Sequence, residues 1–457
     1  MESATGRRGW GDDSGPYVST YALLSVCCSF VYLGVSVAFL GATLPQLLPS
    51  TGSGAAGSTR GGWLFGVAGA GYFVGAVGNG WLVGCLGGGG AWSLLVPSLV
   101  ISAAALLAVP WSGRQQWLLA LLLFGTRVGA GSLDVSGNAV VAQAKRATGA
   151  WMQLLHALFS VGATLAPLLA SLSLRWTHGG MAMAFGCYMG MAGVSMLLLL
   201  GTRWVGNGSG RAAMRADHRA VEAKEDGVPA DVSKDVAVEM PSSTRGRAAA
   251  NASRPDSMPA PPASYPSRLL HAARLLAVLC AFALYAGYEV SLGGWLTTYA
   301  HLTGYAAGNA AHADDVATAF WAAVATGRLL AVPLSLWVSP VALLAADVVA
   351  SLSLWVARQL FSMNGLAVAA AAWGLALAPA YAASMGLSVR RLGGDERAAV
   401  EAAAWATVGA TLGEMLLPWI AGRIMSRWGA RSFPLTNFVY VALWGSCSLT
   451  LVLLPNR

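Results

Sequence analysis

Charge is scarce in this sequence. Of its 457 residues only 11% are Asp, Glu, Lys or Arg, while 56% are apolar, and the mean hydropathy is +0.58. A water-soluble chain carries about 25% charged residues, so too few charges are present to cover a soluble surface of this size. The patterns that carry enzyme chemistry are missing as well. There is no nucleophile elbow, zinc-ligand spacing or phosphate-binding loop, so no catalytic residue, metal site or organic cofactor is expected. The six cysteines, Cys27, Cys28, Cys85, Cys187, Cys280 and Cys447, all lie in apolar runs without disulfide-framework spacing and read as buried, reduced packing residues. The net charge of +8 does not point to nucleic acid. The basic residues cluster at segment ends, where they report membrane topology, and no basic-aromatic surface pattern accompanies them.

What the chain does have is long apolar segments. A membrane-crossing helix needs about 20 mostly apolar residues. Twelve candidates occur, at 18–48, 62–86, 91–110, 116–143, 150–172 and 180–204, then at 269–300, 313–338, 340–360, 364–390, 398–424 and 431–455. The first and seventh are long enough to tilt or to project from the bilayer. The first lacks a convincing cleavage site and reads as a true helix rather than a removed signal. The mixed-charge residues before it, an N-terminal tail over 1–17, support a transit peptide poorly.

The tract 205–267 differs in kind. It is rich in Ala, Ser and Pro, carries mixed charges and has almost no large apolar residues. Such a segment cannot bury enough surface to fold, so we read it as a disordered cytoplasmic linker between two six-helix halves, 18–204 and 268–457. On that reading the sequons Asn207-Gly208-Ser209 and Asn251-Ala252-Ser253 are chance matches. Lys145 and Arg146, the linker arginines, and Arg390, Arg391 and Arg397 fall on one side of a twelve-span chain. Positive residues mark the cytoplasmic side, so both termini are expected there, although Arg423, Arg427 and Arg431 oppose the rule.

The halves repeat one another. Val161-Gly162-Ala163-Thr164-Leu165 in span five recurs as Val408-Gly409-Ala410-Thr411-Leu412 in span eleven. At the same offset Phe73, Ala76, Val77, Gly80 and Leu82 of span two match Phe320, Ala323, Val324, Gly327 and Leu329 of span eight. Two parallel six-helix repeats place a cavity at their interface near the bilayer midplane.

An ionisable group in the hydrocarbon layer costs several kcal/mol or more and usually turns toward a cavity. Asp134 and Asn138, four apart in span four, share a helix face. The carboxylate could take a coupling proton or cation while the amide binds a substrate hydroxyl; alternatively the two staple neighbouring helices. Gln153, His156 and Ser160 share a face of span five, and a neutral His with an amide suits sugar hydroxyls, or packs between helices. In span seven Tyr288, Ser291 and Trp295 share a face that would suit a pyranose ring, unless the aromatics form an interfacial belt. Glu289 points elsewhere, with Arg328 of span eight as one possible counter-charge in a structural or gating pair. Glu414 and Trp405 of span eleven face opposite ways, so only one of them can readily face the cavity. Asp347 of span nine is left without a role.

These runs, Asp134–Asn138, Leu155–Ala163, Tyr285–Tyr299, Ala319–Arg328 and Gly413-Glu414-Met415, resemble the sodium-dependent glucose transporter 1 branch of the major facilitator superfamily, related to the fucose–proton symporters. The resemblance implies an all-α membrane protein importing a hexose or polyol with Na⁺ or H⁺. Asp134 would be the coupling group and Asn138, Gln153, His156, Tyr288, Ser291 and Trp295 the substrate ligands. Glu289, Arg328 and Glu414 would be structural or gating charges. Two departures stand out. Span one, Phe39-Leu40-Gly41-Ala42-Thr43-Leu44-Pro45-Gln46, has no carboxylate where the fucose symporters carry one. The loop after span two, Gly80-Trp81-Leu82-Val83-Gly84, lacks the superfamily's Asp and Arg. A monomer in the plasma membrane is expected. Transport of another small metabolite, or a non-transporting sensor signalling through the linker, are the alternatives.

Overall fold

In a bilayer every backbone N–H and C=O must find its partner within its own segment or a closed sheet, so apolar runs of this length dictate helices. The computed structural model describes residues 19–48, 55–86, 90–112, 115–142, 148–177, 180–202, 265–305, 310–334, 337–360, 365–393 and 396–454. The N-terminal tail and most of the 205–267 tract lie outside them. Among the described residues every regular element is helical. The first half comprises α1 (Thr20–Leu47), α2 (Ala55–Leu86), α3 (Gly90–Ala108), α4 (Gln116–Ala142), α5 (Thr148–Trp176) and α6 (Ala182–Thr202). The second comprises α7 (Tyr265–Leu302), α8 (Ala310–Leu334), α9 (Pro340–Leu360), α10 (Leu366–Leu377), α11 (Ala380–Leu392), α12 (Glu396–Trp428) and α13 (Phe433–Leu453).

Helices α10 and α11 together make one span, Leu366–Leu392, so thirteen helices form twelve spans. The sequence reading runs this span as one helix. The break falls at Ala378–Pro379, where proline has no N–H to donate and its ring clashes with the carbonyl four residues earlier. Nine described segments are long and apolar enough to cross a membrane on length and composition alone. Helices α8 and α12 fall short of that measure because they carry ionisable residues, among them Asp314, Asp315 and Arg328 in α8 and Glu401, Glu414 and Arg423 in α12. The chain is an integral multi-pass membrane protein. Exposed tryptophans sit at the span ends, including Trp111, Trp117, Trp176, Trp337 and Trp428, where an amphipathic ring meets the headgroup layer.

With lipid as solvent, helices associate through close packing of small residues rather than by hiding apolar surface from water. The repeated motif shows this directly. A Cβ on Gly162 would stand 1.9 Å from the Val31 carbonyl oxygen of α1, and a Cβ on Gly409 would stand 2.3 Å from that of Leu279 in α7. The same glycine of the repeat thus seats the fifth span on the first and the eleventh on the seventh. Both halves belong to one compact unit; Arg203–Ala272 forms a second.

The halves meet mainly through α2 on α12 and α5 on α8. Their contacts gather at one face of the bundle, formed by the C-terminal ends of α1, α5, α7 and α12 and the N-terminal ends of α2 and α8. There the Cβ of Gly41 would lie 2.7 Å from the Gly294 carbonyl, Gly62 abuts Trp419 and Gly422, and Gly69 abuts Met415. Arg175 of α5 forms an ion pair with Asp315 of α8, and Ser171 Oγ donates to Asp315 Oδ1 at 2.8 Å. At the opposite face, where α6 ends and α7 begins, a Cβ on Gly78 or Gly80 would meet nothing within 4 Å among the described residues, and Trp81 and Trp405 are exposed. Among the described residues the contacts between the halves gather at the first end, the sealed face, and the lining of the cavity between them reaches toward the second, the parted face.

Candidate functional site

A cavity of about 440 Å³ lies between the halves. From the first half it is lined by Phe30, Tyr72, Asp134, Asn138, Met152, His156 and Phe159. From the second come Tyr285, Glu289, Trp321, Arg328, Tyr381, Thr407 and Glu414. Its outer walls, Met152, Met385, Val389 and Ala403, come from the helix ends at the parted face.

The α4 run Gly131–Asn138 divides its labour by helical period. Gly131 presses on the Tyr72 carbonyl and Gly137 on the Phe30 ring. Ser132 Oγ donates to the Gly75 carbonyl at 3.1 Å, and Asn79 Nδ2 donates to Ser136 Oγ at 2.9 Å. Those four residues staple α4 to α1 and α2, which leaves Asp134 and Asn138 aimed into the cavity. Asn138 Nδ2 donates to Asp134 Oδ1 at 2.9 Å, and the Tyr72 hydroxyl hydrogen-bonds the same carboxylate. The amide nitrogen of Asn138 is therefore occupied, and its carbonyl oxygen is the atom left for a ligand.

A second network crosses the halves. Arg328 Nη2 reaches Glu289 Oε1 at 2.7 Å and accepts no partner's proton; it donates also to Tyr285 Oη at 3.2 Å. Arg328 Nη1 donates to Ser160 Oγ of α5 at 2.6 Å. Tyr285 Oη donates to Glu289 Oε2 at 2.6 Å. Beside them an aromatic wall forms, with His156 and Tyr381 rings 5.1 Å apart, Phe282 and Tyr381 5.3 Å apart, and Tyr285 and Trp444 5.6 Å apart.

The structure thus brings Asp134, Asn138, His156, Glu289, Arg328 and Glu414 to one cavity. Tyr288, Ser291 and Trp295 are not there. All three are fully buried in helix packing. The Tyr288 hydroxyl accepts from Trp355 Nε1 at 3.1 Å. Trp295 donates to the Pro418 carbonyl at 2.9 Å and packs on Phe65 in the sealed face. Helix α7 is rotated so that Tyr285, Ala286, Glu289 and Val290 line the cavity instead. Of the α12 pair, Glu414 faces the cavity and Trp405 is exposed. The Gln153 side chain lies outside the described residues. Asp347 is buried in α9 and does not line the cavity.

Four participants are not singled out by the sequence reading. Tyr72 and Trp321 each adjoin a phenylalanine, Trp321 inside the Ala319–Arg328 run, and Tyr381 stands among small residues. Arg127, in the middle of α4, is buried; its Nη2 donates to the Val37 carbonyl at 2.7 Å, and its charge acts on Tyr72 and Glu414. A single cation inside an apolar span was the signal that could have found it.

No protein-family model and no curated protein matches the sequence. Solved structures do match. A D-xylose–proton symporter superposes with a TM-score of 0.64 at 13% identity, over 95% of this chain and 97% of that one. A variant of the E. coli fucose–proton symporter FucP gives 0.58 at 15% identity, over 96% and 100%. The major facilitator superfamily transporter FucP in the outward conformation gives 0.57 at 16% identity, again over 96% and 100%. At such identities the likeness is one of fold, and the chain has the major facilitator fold.

Proposed function

We propose that this protein is a secondary transporter that moves a hexose or similar small polar solute by alternating access, coupled to Na⁺ or H⁺. One observation carries the reading: a polar, aromatic-walled cavity between two pseudo-symmetric halves, sealed at one face and parted at the other. Such a site, exposed to each side in turn as the halves rock, is how an inverted or parallel repeat transports a solute. The fold shared with structures named as D-xylose– and fucose–proton symporters adds support for a sugar, as an analogy of fold alone.

In this reading Asp134 is a coupling carboxylate, because its position in the midst of donors lets it hold or release a cation in response to its surroundings. Asn138 and His156 offer an acceptor and a donor–acceptor pair to sugar hydroxyls. Tyr381 and Trp321 supply the apolar faces a pyranose ring stacks on, the part the sequence reading gave to Tyr288 and Trp295. The Glu289–Arg328 pair, tied to Ser160 across the halves, is a gating contact. With both termini cytoplasmic and the protein in the plasma membrane, the parted face opens to the cytoplasm.

The test is uptake of labelled glucose, galactose and fucose into proteoliposomes under separate Na⁺ and H⁺ gradients. Accumulation driven by one gradient is expected. Uptake indifferent to both gradients would remove the coupling, and no uptake of any of the three would remove the sugar.

A further inference from the structure

The sealed face holds a carboxyl group that the cavity does not use. Asp314 stands near the N-terminal end of α8 and is 0% exposed. Neither of its carboxyl oxygens makes a well-formed hydrogen bond, and no cation pairs with it among the described residues. The next residue, Asp315, faces outward and is taken by Arg175 and Ser171 of α5. Glu289, also buried, differs in having Arg328 at 2.7 Å.

The surroundings of Asp314 offer an anion little. Thr297 of α7, itself 0% exposed, is the hydroxyl beside it, and that hydroxyl too lacks a well-formed partner. Tyr188 of α6 faces it from the first half but donates its proton to the Ala166 carbonyl at 2.6 Å. The other titratable groups on the adjoining turns are Asp315 and His312 on α8 itself, Arg175 on α5, Cys187 on α6, and Tyr299 and His301 on α7. Helix α10, which packs on α8, carries none. In water a carboxylate draws hydrogen bonds at about four lone-pair sites. One hydroxyl does not replace them, and an unpaired ionised carboxylate in a dry contact is far less favourable than the neutral acid.

That contact is dry only while the halves stand together. Ser171 Oγ of the first half lies 3.3 Å from the Ala311 carbonyl, one turn before Asp314. Parting this face brings water to the carboxyl and makes the anion the favoured form. Resting on the reading of alternating access, we propose that Asp314 is a proton-binding site of the interface: the sealed face closes over the protonated acid and opens when the proton leaves to water. The same proton must be taken up again before the face closes. Asp314 does not line the cavity, so this proton is counted apart from any cation that Asp134 holds.

The full-length protein carrying Gly66→Cys in the sealed face is reconstituted in lipid vesicles, and thiol labelling at position 66 is read by mass spectrometry. Rates are followed from about pH 5 to about pH 9, the range in which carboxyl groups of folded proteins titrate. Each rate is divided by that of the unfolded protein at the same pH, which removes the titration of the thiol itself. Wild type is expected to label about fivefold faster or more at the high end, because opening follows proton loss. D314N cannot ionise and is expected to stay at the low rate throughout. An aspartate that serves only packing would change the melting point on substitution and leave the pH profile as it was. D314N rising with pH as wild type does would therefore overturn the proposal, as would a flat wild-type profile. Should D314N not fold, D314S, smaller and equally unable to ionise, takes its place. Sugar uptake is measured in the same vesicles. A rising wild-type profile without uptake supports the proton site and counts against the transport reading, while uptake beside a flat profile counts against this inference alone.

Discussion

Replacing Arg328 with Met tests the charge network at the centre of the molecule. The side chains of Arg328 and Glu289 are only 11% and 7% exposed, so solvent screening does little to soften the loss of either partner. Removing one member of a buried pair strands the other and costs about 3–5 kcal/mol. Arg328→Met also forfeits the 2.6 Å hydrogen bond to Ser160, about 1 kcal/mol more for a bond between a charged donor and a hydroxyl that can find another acceptor. Glu289→Gln leaves the guanidinium stranded and is expected to cost a similar amount. The double variant strands neither charge, so it is expected to recover most of the loss, a coupling of at least about 2 kcal/mol. The assay is a double-mutant cycle on the purified protein, read as the shift in its denaturant midpoint at constant slope. Additive single effects, with coupling under about 0.5 kcal/mol, would refute the argument that each charge is held in place by the other.

Further outcomes follow from the packing and the seal. Gly162→Leu drives a side chain into the Val31 carbonyl and is expected to abolish the monodisperse folded protein on gel filtration. Gly78→Ala meets nothing within 4 Å and is expected to leave the fold intact or gain about 0.5–1 kcal/mol of helix stability. Arg175 and Asp315 are 45% and 41% exposed, so their bridge contributes no more than about 1 kcal/mol; Asp315→Asn is expected to leave the melting point nearly unchanged but to raise thiol labelling of a Gly66→Cys reporter in the sealed face by about twofold or more. Unchanged labelling would mean that the helix contacts close this face without the ion pair. Asp134→Asn is expected to abolish concentrative uptake, and a variant that still accumulates sugar against its gradient would end the coupling role assigned to it.

Much of this molecule is local, and local properties can be read from a sequence. Lipid demands about 20 apolar residues per crossing, so each predicted span lies within about four residues of its helix, except at the start of α2, which begins seven residues before 62. Only span ten, broken at Pro379, departs in kind. The repeat was legible because Gly162 and Gly409 solve the same packing problem in each half, and a glycine is needed wherever two backbones come this close. Asp134, Asn138, His156, Glu289, Arg328 and Glu414 could be singled out because charge and hydrogen bonding are costly in hydrocarbon. Which face of a helix meets the cavity could not be settled that way. Both the Tyr288–Ser291–Trp295 face and the Tyr285–Glu289 face of α7 are aromatic and polar, so amphipathicity does not choose between them. Tertiary packing chose. Trp355 and the Pro418 carbonyl hold Tyr288 and Trp295 of the first face inside the protein, and Arg328 and Ser160 draw the second into the cavity. Arg127 carries the same lesson: the sequence shows a lone cation in span four, but only the fold brings its charge to bear on Glu414 of the other half, because electrostatic partnership depends on distance in space and not on separation along the chain.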